Sequence, residues 1–402
     1  MPDPAAPVLA DALGRLYARA PLGMRLGLDA MREACARFDH PERAFESVHV
    51  AGTNGKGSVC AMVESIGRAQ GLKTGLFTSP HLCRFAERVR LQGEPIDDAT
   101  LAATLARVLD HTPHLSFFEA ATLSAFVAFR DAEVDIAVVE VGIGGRLDAT
   151  NVLPCPRAGA ITRIALDHTD RLGPTLADIA REKAGIAKVG LDIVLGPMAP
   201  DVHAVIEAVA RAAGATTSDA IDGPVPARIG LDGDYQRDNA RIAALLGARI
   251  GASPDAIASG LAGVRWPGRL ERIDHFLLDA AHNPDGAKAL ARHVRSLGHR
   301  PGDVTLVFGT LGDKDWPPML DVLTPVAGTR IYLAPEGGSR AAVDPAAFAA
   351  RHAGVVARSV REALALGRQS GARLVVVAGS LVLVGEARAD LLGLPRDPPV
   401  AL

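Results

Sequence analysis

Cysteine is scarce in this sequence, and its few cysteines show no spacing typical of a disulfide framework or a metal site. The four that occur are Cys35, Cys60, Cys83 and Cys155. Small secreted proteins and zinc modules place their cysteines at short, recurring intervals. We therefore expect reduced, buried thiols and a protein that works in a reducing compartment, the cytoplasm.

The sequence also lacks basic runs and long apolar segments. Its net charge is −3 at pH 7, and no stripe of lysine and arginine would attract nucleic-acid phosphates. No uncharged apolar stretch approaches the roughly 18 to 20 residues that a membrane helix needs. Residues 1–10 lack the charged start and apolar run of a signal peptide. We expect a protein that binds neither nucleic acid nor membrane.

The chain is rich instead in glycine, alanine and alternating structural patterns. At 402 residues it is too long for one ordinary hydrophobic core, so two domains are expected. Hydrophobic residues make up 48% and charged residues 22%, which is typical of a compact folded protein. Unbroken apolar runs alternate with helical periodicity, which predicts an α/β fold with a mostly parallel sheet. The Pro- and Gly-containing stretch 263–269 predicts the domain boundary.

Local patterns place the predicted elements along the chain. Strands are predicted at 48–51, 74–78, 136–141, 158–162 and 193–195 before the boundary, and at 276–278, 304–308, 331–333 and 374–377 after it. Helices are predicted at 7–20, 27–38, 58–69, 101–109, 117–129 and 176–187.

The chain is organised around a glycine-rich stretch that joins the first predicted strand to a helix. Its members are Gly52, Thr53, Asn54, Gly55, Lys56, Gly57 and Ser58. Glycines leave backbone N–H groups uncovered, and these donors and the positive end of the following helix suit polyphosphate. Lys56 would reach the terminal phosphates, and Ser58 or Thr53 would serve the metal-bound end of the nucleotide. Because Gly57 separates Lys56 from Ser58, the sequence differs from that of the usual phosphate loop. A plain glycine-rich turn therefore remains as the alternative interpretation.

Further polar residues follow other predicted strands. Ser79, Glu140 and His168 with Asp167 stand where the carboxyl ends of parallel strands gather ligands. Oxygen donors around a nucleotide suggest magnesium, although an imidazole is unusual for that ion. Each residue also has a structural alternative: a turn before Pro80, a solvated carboxylate, or a structural histidine.

Further candidates come from three single residues and one loop. Lys183 is flanked by alanines and an isoleucine, and burial would lower its pKa and free its amine for reaction, although a surface lysine is the alternative. After the boundary, Asp279 follows a predicted strand and could hold ribose hydroxyls, while Asn283 could cap the next helix. The charged loop 309–315 could equally form local salt bridges.

These stretches resemble, in order, the folylpolyglutamate synthase/dihydrofolate synthase family within the Mur ligase group. The resembling segments are 52–58, 77–82, 118–119, 140–151, 167–169, 182–185, 268–269, 279–283 and 377–381. The resemblance implies a larger N-terminal, P-loop ATPase-like domain with a mostly parallel sheet, residues 1–268, and a smaller Rossmann-like C-terminal α/β domain, residues 269–402.

The resemblance further implies an ATP-dependent ligase that joins dihydropteroate, or the γ-carboxylate of a reduced folate, to L-glutamate through an acyl-phosphate. It implies a monomer with two magnesium sites, one at Ser79 and Glu140 and the other at His168, and a carbon dioxide-derived carbamate on Lys183. Catalytic roles are implied for Lys56, Lys183, His168 and Arg269, the last on domain closure. The implied ATP contacts beyond the loop are Asn239, Arg269 and Asp279, and the implied pterin region is Ser116, Phe117, Phe118, Glu119, Leu147, Asp148 and Ala149.

Other functions remain open. The first is folylpolyglutamate synthase activity alone. A ligase for a peptidoglycan-type precursor would need a sugar-nucleotide domain, for which too few residues precede the phosphate loop. A nucleotide-binding switch would treat ATP alike with or without pteroate and glutamate. A small-molecule kinase would leave a phosphorylated product that persists after glutamate is added.

Overall fold

A computed structural model of the chain describes residues 6–20, 27–223, 227–336 and 341–397. The chain divides into two units. The first consists of Met1–Pro80, Ala86–Gly230 and Gln236–Arg265, and the second of His81–Phe85, Leu231–Tyr235 and Trp266–Leu402. The main division, after Arg265, lies close to the proposed boundary between 268 and 269. Sequence patterns do not indicate the two short segments that join the second unit.

The first unit is built on an eight-stranded sheet. Its strands are β1 (Glu46–Ala51), β2 (Thr74–Phe77), β3 (Val89–Leu91), β4 (Glu94–Pro95), β5 (Ile136–Glu140), β6 (Ala158–Ile161), β7 (Asp192–Leu195) and β8 (Thr216–Asp219). The helices are α1 (Ala6–Tyr17), α2 (Asp29–Arg37), α3 (Lys56–Ala69), α4 (Asp98–His111), α5 (Phe117–Asp131), α6 (Thr169–Leu172), α7 (Leu176–Ala184), α8 (Pro200–Ala212), α9 (Tyr235–Arg249, its first residue in the other unit) and α10 (Pro254–Gly263).

The strand order of this sheet decides which loops meet. The order is β4-β3-β2-β5-β1-β6-β7-β8, and every neighbouring pair is parallel except β2–β3 and β3–β4. Strand β1 is central, with Val48 in register with Val138 of β5 and Ala158 of β6. Because β5, β1 and β6 run in parallel, the segments that follow them emerge at one edge of the sheet.

The second unit carries a six-stranded sheet of its own. Its strands are β9 (Glu271–Ile273), β10 (Phe276–Leu278), β11 (Val304–Phe308), β12 (Thr329–Tyr332), β13 (Val355–Val356) and β14 (Leu374–Ala378), in the order β13-β12-β11-β14-β10-β9. Among the described strands of this sheet, only β9 pairs antiparallel. The helices are α11 (Pro284–Ser296), α12 (Trp316–Leu323), α13 (Pro345–Arg351), α14 (Val360–Gln369) and α15 (Leu381–Leu392). Apolar clusters cover both faces of this sheet.

The structure confirms the predicted α/β class, and each predicted strand and helix is present with its ends shifted by a few residues. Two helices end early: the helix predicted at 7–20 stops at Tyr17, and that at 176–187 stops at Ala184. Strands β3, β4, β8, β9 and β13 were not predicted, because they are short, lie at or near sheet edges and lack an unbroken buried apolar run.

The expectation for the cysteines is corrected at one position. Cys35, Cys60 and Cys83 are buried free thiols, whereas Cys155 is exposed. In the described part of the chain, none of the helices combines the length and the apolar character needed to cross a membrane.

Candidate active site

The glycine-rich stretch forms the turn between β1 and α3, as predicted. Gly55 has φ +95°, and a Cβ there would lie 2.5 Å from the Asn239 side-chain oxygen, so only glycine fits. The N–H groups of Thr53 and Asn54 both donate to the carbonyl of Arg163, at 2.8 and 3.4 Å. The turn is therefore held in shape by the segment that follows β6, and α3 begins at its end with Lys56.

Helix α9 supports the same turn from another side. The Gln236 side-chain N–H donates to the Ser58 hydroxyl at 3.2 Å, and the Asn239 amide donates to the Gln236 oxygen at 2.8 Å. All three side chains are buried. Asn239 thus lies beside the glycine-rich turn, as its predicted role as an ATP contact requires. Sequence reasoning missed Gln236, whose polar side chain occupies a buried position of an otherwise ordinary helix.

Glu140, Ser79 and Lys56 lie together at the end of β5. The Ser79 backbone N–H donates to Glu140 Oε2 at 3.1 Å, and Lys56 Nζ is 4.0 Å from Glu140 Oε1. Lys56 also donates to the Thr53 carbonyl at 3.2 Å. One carboxylate, Glu140, and one lysine, Lys56, therefore lie beside the glycine-rich turn and its backbone N–H groups.

Lys183 is buried, which resolves the alternative that the sequence left open. Its Nζ donates to the carbonyl of Gly52 at 2.8 Å, so it lies directly under the glycine-rich turn. The pKa of the Lys183 amine is lowered to about 7, mainly by burial and also by the charge of Lys56, while Asp167 and Asp148 oppose the change. A large fraction of its amine is therefore uncharged and nucleophilic near neutral pH.

His168 and Asp167 follow β6 at the same edge of the sheet. His168 has φ +51° and lies directly before α6, and its backbone N–H donates to Asp167 Oδ1 at 3.0 Å. Its Nε2 is 3.9 Å from the same oxygen. Within the described residues, no three histidine, cysteine, aspartate or glutamate side chains group closely enough to hold a metal by themselves. Oxygens from a nucleotide and from water would have to complete any magnesium site here.

The predicted pterin region has two parts that touch. Ser116 caps α5 in a reciprocal capping box with Glu119, whose Oε2 accepts the Ser116 backbone N–H and hydroxyl at 2.8 and 2.6 Å. A Cβ on Gly142 would lie 2.4 Å from the Phe118 ring, so this ring packs on the backbone that follows β5. The polar groups of this region thus build local structure and present the aromatic residues Phe117 and Phe118.

Residues 142–148, which we call the acid loop, are closed by Asp148. Its carboxylate accepts the N–H of Ile143 at 3.0 Å, and the N–H and hydroxyl of Thr150 at 3.0 and 2.5 Å. Burial raises the Asp148 pKa, and these hydrogen bonds oppose that change. The predicted substrate residue Leu147 belongs to this loop, and Ala149 follows it directly.

The acid loop packs backbone to backbone against the end of α7. The Arg146 N–H donates to the carbonyl of Glu182 at 2.8 Å, and a Cβ on Gly145 would lie 2.8 Å from the carbonyl oxygens of Glu182 and Lys183. The loop is therefore coupled directly to the residue that precedes Lys183 and to Lys183 itself.

Arg88 is a buried charge that the sequence reasoning missed. It is 2% exposed, and its guanidinium carbon lies 5.2 Å from the centre of the Phe117 ring. Burial lowers its pKa to about 10, while Tyr17 and Glu140 favour the charged form. Arg88 ends a single helical turn before the short strand β3, where periodicity gives no signal. Arg88 therefore places a positive charge beside the Phe117 ring, and this charge also interacts with Glu140.

Arg269 and Asp279 lie together in the second unit. Asp279 follows β10, and its carboxylate accepts the Leu270 N–H and the Tyr235 hydroxyl at 3.0 and 3.4 Å. Burial raises the Asp279 pKa, and the positive charge of Arg269 opposes that change. Asn283 caps α11 by accepting the Gly286 N–H at 2.9 Å, which confirms the capping alternative for this residue.

Two Mur ligase domain models match this chain. The Mur ligase middle domain matches residues 50–192, and the Mur ligase glutamate ligase domain matches residues 268–381. A folylpolyglutamate synthase of Lacticaseibacillus casei is 36% identical, with 88% of this chain and 92% of the relative covered. This chain belongs to the folylpolyglutamate synthase/dihydrofolate synthase family of Mur ligases. It is an ATP-dependent ligase.

Relatives in this family carry two kinds of name. The dihydrofolate synthase/folylpolyglutamate synthase of Mycobacterium tuberculosis is 39% identical, with 77% of this chain and 74% of the relative covered. Among solved structures, Mycobacterium tuberculosis folylpolyglutamate synthase complexed with ADP has a TM-score of 0.86 at 32% identity, covering 98% of this chain and all of that one. Escherichia coli FolC in complex with DHPP and ADP also has a TM-score of 0.86 at 32% identity, covering 95% of this chain and 97% of that one. The family resemblance inferred from the motifs is confirmed.

Proposed function

We propose that this ligase carries both activities of its family, joining L-glutamate to dihydropteroate and to the γ-carboxylate of reduced folates, with release of ADP and phosphate. One observation carries the proposal: the buried amine of Lys183 donates to Gly52 under the glycine-rich turn, while the backbone of the same residue packs against the acid loop at Gly145. A nucleotide bound at the glycine-rich turn and a carboxylic acid bound at the acid loop would therefore both lie next to Lys183. Relatives named for both activities, in Mycobacterium tuberculosis, Bacillus subtilis and Escherichia coli, support the bifunctional choice.

The glycine-rich turn is proposed to hold the ATP phosphates. The first turn of α3, which begins at Lys56, offers N–H groups to phosphate oxygens, and the Lys56 side chain adds a positive charge. Asn239 lies against Gly55 and is proposed to contact ATP from α9. One related structure is complexed with ADP and another with AMPPNP and a manganese ion, which supports ATP and a divalent cation for this enzyme.

The donor set of the first unit fits magnesium that retains water and phosphate ligands. Glu140 offers a carboxylate next to Ser79, and His168 stands with Asp167 after the next strand. We propose Ser79 and Glu140 for one ion and His168 for a second. Bound there, such ions would neutralise phosphate charge and so favour phosphoryl transfer.

Amide formation then follows from the chemistry of carboxylates. A carboxylate is a poor acyl donor, because its charge repels nucleophiles and oxide is a poor leaving group. Attack of its oxygen on the γ-phosphorus breaks the bond to ADP and gives an acyl-phosphate. The uncharged amine of glutamate attacks the acyl carbon, loses a proton, and phosphate leaves with its electron pair. Lys56 and Arg88, two cations that interact with Glu140, would oppose the charge of the transferring group.

Lys183 is proposed to react with carbon dioxide. An uncharged amine adds to carbon dioxide and releases one proton, giving a carbamate with a single negative charge. The lowered pKa of Lys183 supplies the uncharged amine, and Lys56 nearby favours the anionic product over a second cation. The carbamate would act as an oxygen ligand and would orient the acyl-phosphate. The residue therefore works by reversing the sign of its charge.

The acid substrate is proposed to lie along the two parts of the pterin region. Phe117 and Phe118 offer aromatic surface, while the acid loop and Ala149 offer backbone groups. Such a pocket suits a flat heteroaromatic ring that carries hydrogen-bonding edges. Ser116, Glu119 and Asp148 would shape it through the hydrogen bonds they make.

Arg269 is proposed to contact ATP from the second unit, and Asp279 to orient it or the ribose. The Arg269→Ala variant should lower kcat/KM for ATP by about 10- to 100-fold, since a hydrogen bond to a charged group contributes about 1.5 to 3 kcal/mol. Steady-state kinetics with ATP as the varied substrate measure this effect. Arg272→Ala, on the neighbouring strand β9, serves as control. Full activity of the Arg269→Ala enzyme would exclude the proposed contact.

One assay separates the proposed function from its alternatives. The enzyme is incubated with ATP, magnesium, dihydropteroate and radiolabelled glutamate, and in a parallel reaction with a reduced folate. We expect a labelled pterin amide in both reactions and one ADP per amide. Product only with the folate would leave folylpolyglutamate synthase activity alone. A phosphorylated product that survives glutamate would indicate a kinase, and ADP release indifferent to both substrates would indicate a nucleotide switch.

A further inference from the structure

His49 is an unexpected residue for the middle of the central strand. It lies in β1 between Val139 of β5 and Gly159 of β6, and it is 0% exposed. The neighbouring stretches of both strands are apolar and buried. A polar ring in such surroundings loses its hydration and must recover it through hydrogen bonds.

The ring makes one hydrogen bond, and its direction can be assigned. His49 Nε2 is 2.8 Å from the Thr150 hydroxyl, which is itself 2.5 Å from Asp148 Oδ1. Thr150 donates its single hydroxyl proton to Asp148, so its oxygen accepts the hydrogen bond from His49 Nε2. Burial lowers the pKa of His49 well below its usual value, and the ring is therefore neutral with its proton on Nε2.

Thr150 and Asp148 connect this ring to the acid loop. Asp148 closes the loop through the N–H of Ile143, and the loop backbone lies against Phe118 at Gly142 and against Lys183 at Gly145. His49, which donates the first of these hydrogen bonds, thus lies on β1, the strand that leads into the glycine-rich turn. A change at His49 would reach the acid loop through two hydrogen bonds.

A second fastening keeps the loop folded independently of His49. Lys188 donates to the side-chain oxygen of Asn151, and the Asn151 amide donates to the carbonyls of Arg146 and Gly185 at 3.0 Å each. These bonds tie the other end of the loop to the residues after α7. Removal of the His49 hydrogen bond should therefore shift Asp148 without unfolding the loop.

We propose that His49 is a positioning residue for the acid substrate: its Nε2–H, acting through Thr150, fixes Asp148 and with it the acid loop. The inference rests on the proposed function, in which this loop binds the pterin-containing acid. It predicts a selective effect, because the glycine-rich turn keeps its own hydrogen bonds to Arg163. Binding of the acid should weaken while binding of ATP stays unchanged.

Two matched pairs of variants test the proposal. His49→Leu removes the donor, while His49→Gln retains an N–H at a similar reach. Thr150→Val removes the hydroxyl, while Thr150→Ser keeps it. We expect His49→Leu and Thr150→Val each to raise the KM for dihydropteroate about tenfold, the loss of one buried hydrogen bond, with an unchanged KM for ATP. The glutamine and serine variants should remain close to wild type.

The double variant gives a further criterion. Because both residues act through the same chain of hydrogen bonds, combining His49→Leu with Thr150→Val should raise the KM for dihydropteroate little more than either change alone. The positioning role would be overturned by equal increases in KM for ATP and for the acid, by a decrease in kcat alone, or by additive effects of the two substitutions on KM. Absence of ligation by the wild-type enzyme would instead overturn the proposed function.

The tautomer of His49 can be measured without any variant. Nitrogen-15 spectra of the histidine rings in the wild-type enzyme should show a neutral ring protonated at Nε2 between pH 6 and 8, about the range in which an exposed histidine titrates. A His49 ring protonated at Nδ1, or a charged ring, would contradict the proposed hydrogen-bond chain even if the leucine and valine variants failed to fold.

Discussion

Replacing Lys183 by methionine is expected to lower kcat about 10²- to 10³-fold, the usual loss when one preorganised electrostatic group is removed. Methionine has a similar length and fills the same buried space, but it can neither form a carbamate nor donate to Gly52. The kcat of purified enzyme with saturating substrates measures the effect. Arg181→Met is the matched control, because Arg181 is exposed on the same helix and pairs only with Asp178 among its described ion pairs.

Carbon dioxide should matter to the wild-type enzyme alone. Removal of dissolved carbon dioxide should depress its rate, and added bicarbonate should restore it, whereas the Lys183→Met enzyme should respond to neither. The pH dependence has a definite sign. At fixed carbon dioxide pressure, activation should increase as pH rises through about 7, where the buried amine loses its proton. A wild-type rate indifferent to carbon dioxide would contradict the carbamate, and a fully active methionine variant would contradict any role for Lys183.

Adding one methyl group at Gly145 is expected to lower kcat about 10²-fold, because small displacements of positioned groups have effects of that size. The new Cβ would lie 2.8 Å from the carbonyl oxygens of Glu182 and Lys183 and 3.1 Å from the Lys183 Cα. These are backbone atoms and cannot rotate away, so the acid loop or the end of α7 must move. The Gly145→Ala variant tests this coupling without altering any chemical group.

Gly263→Ala is the control for Gly145→Ala. Gly263 ends α10, and a Cβ there would meet no atom within 4 Å. We expect it to keep the wild-type rate and melting temperature. If Gly145→Ala also kept the wild-type kcat, the tight packing between the acid loop and α7 would have no part in catalysis.

The part of the site that the sequence predicted best is local in the chain. Gly52–Ser58 joins a buried strand to a helix, and its turn depends on glycine and on the two elements beside it. Strand-end residues such as Glu140 were also predictable, because parallel strands emerge at one edge of the sheet. The α/β class was also predictable, because the alternation of apolar runs with helical periodicity is a local pattern of the sequence.

Other parts depend on contacts between distant residues, which a single sequence does not show. Whether Lys183 was a surface lysine or a buried amine was decided by its hydrogen bond to Gly52. Arg88 and His49 carried no signal, because their roles come from Phe117 and Thr150, which lie elsewhere in the chain. The segment His81–Phe85 was assigned to the first domain, since periodicity does not show a chain crossing between units.

The most direct test of the central claim follows oxygen during the reaction. Dihydropteroate labelled with oxygen-18 in its carboxylate is converted with ATP and glutamate, and the released phosphate is analysed by mass spectrometry. If the carboxylate attacks the γ-phosphorus, one labelled oxygen must pass to each phosphate as the amide forms. We predict one oxygen-18 per phosphate released; amide formed together with unlabelled phosphate would contradict activation through an acyl-phosphate.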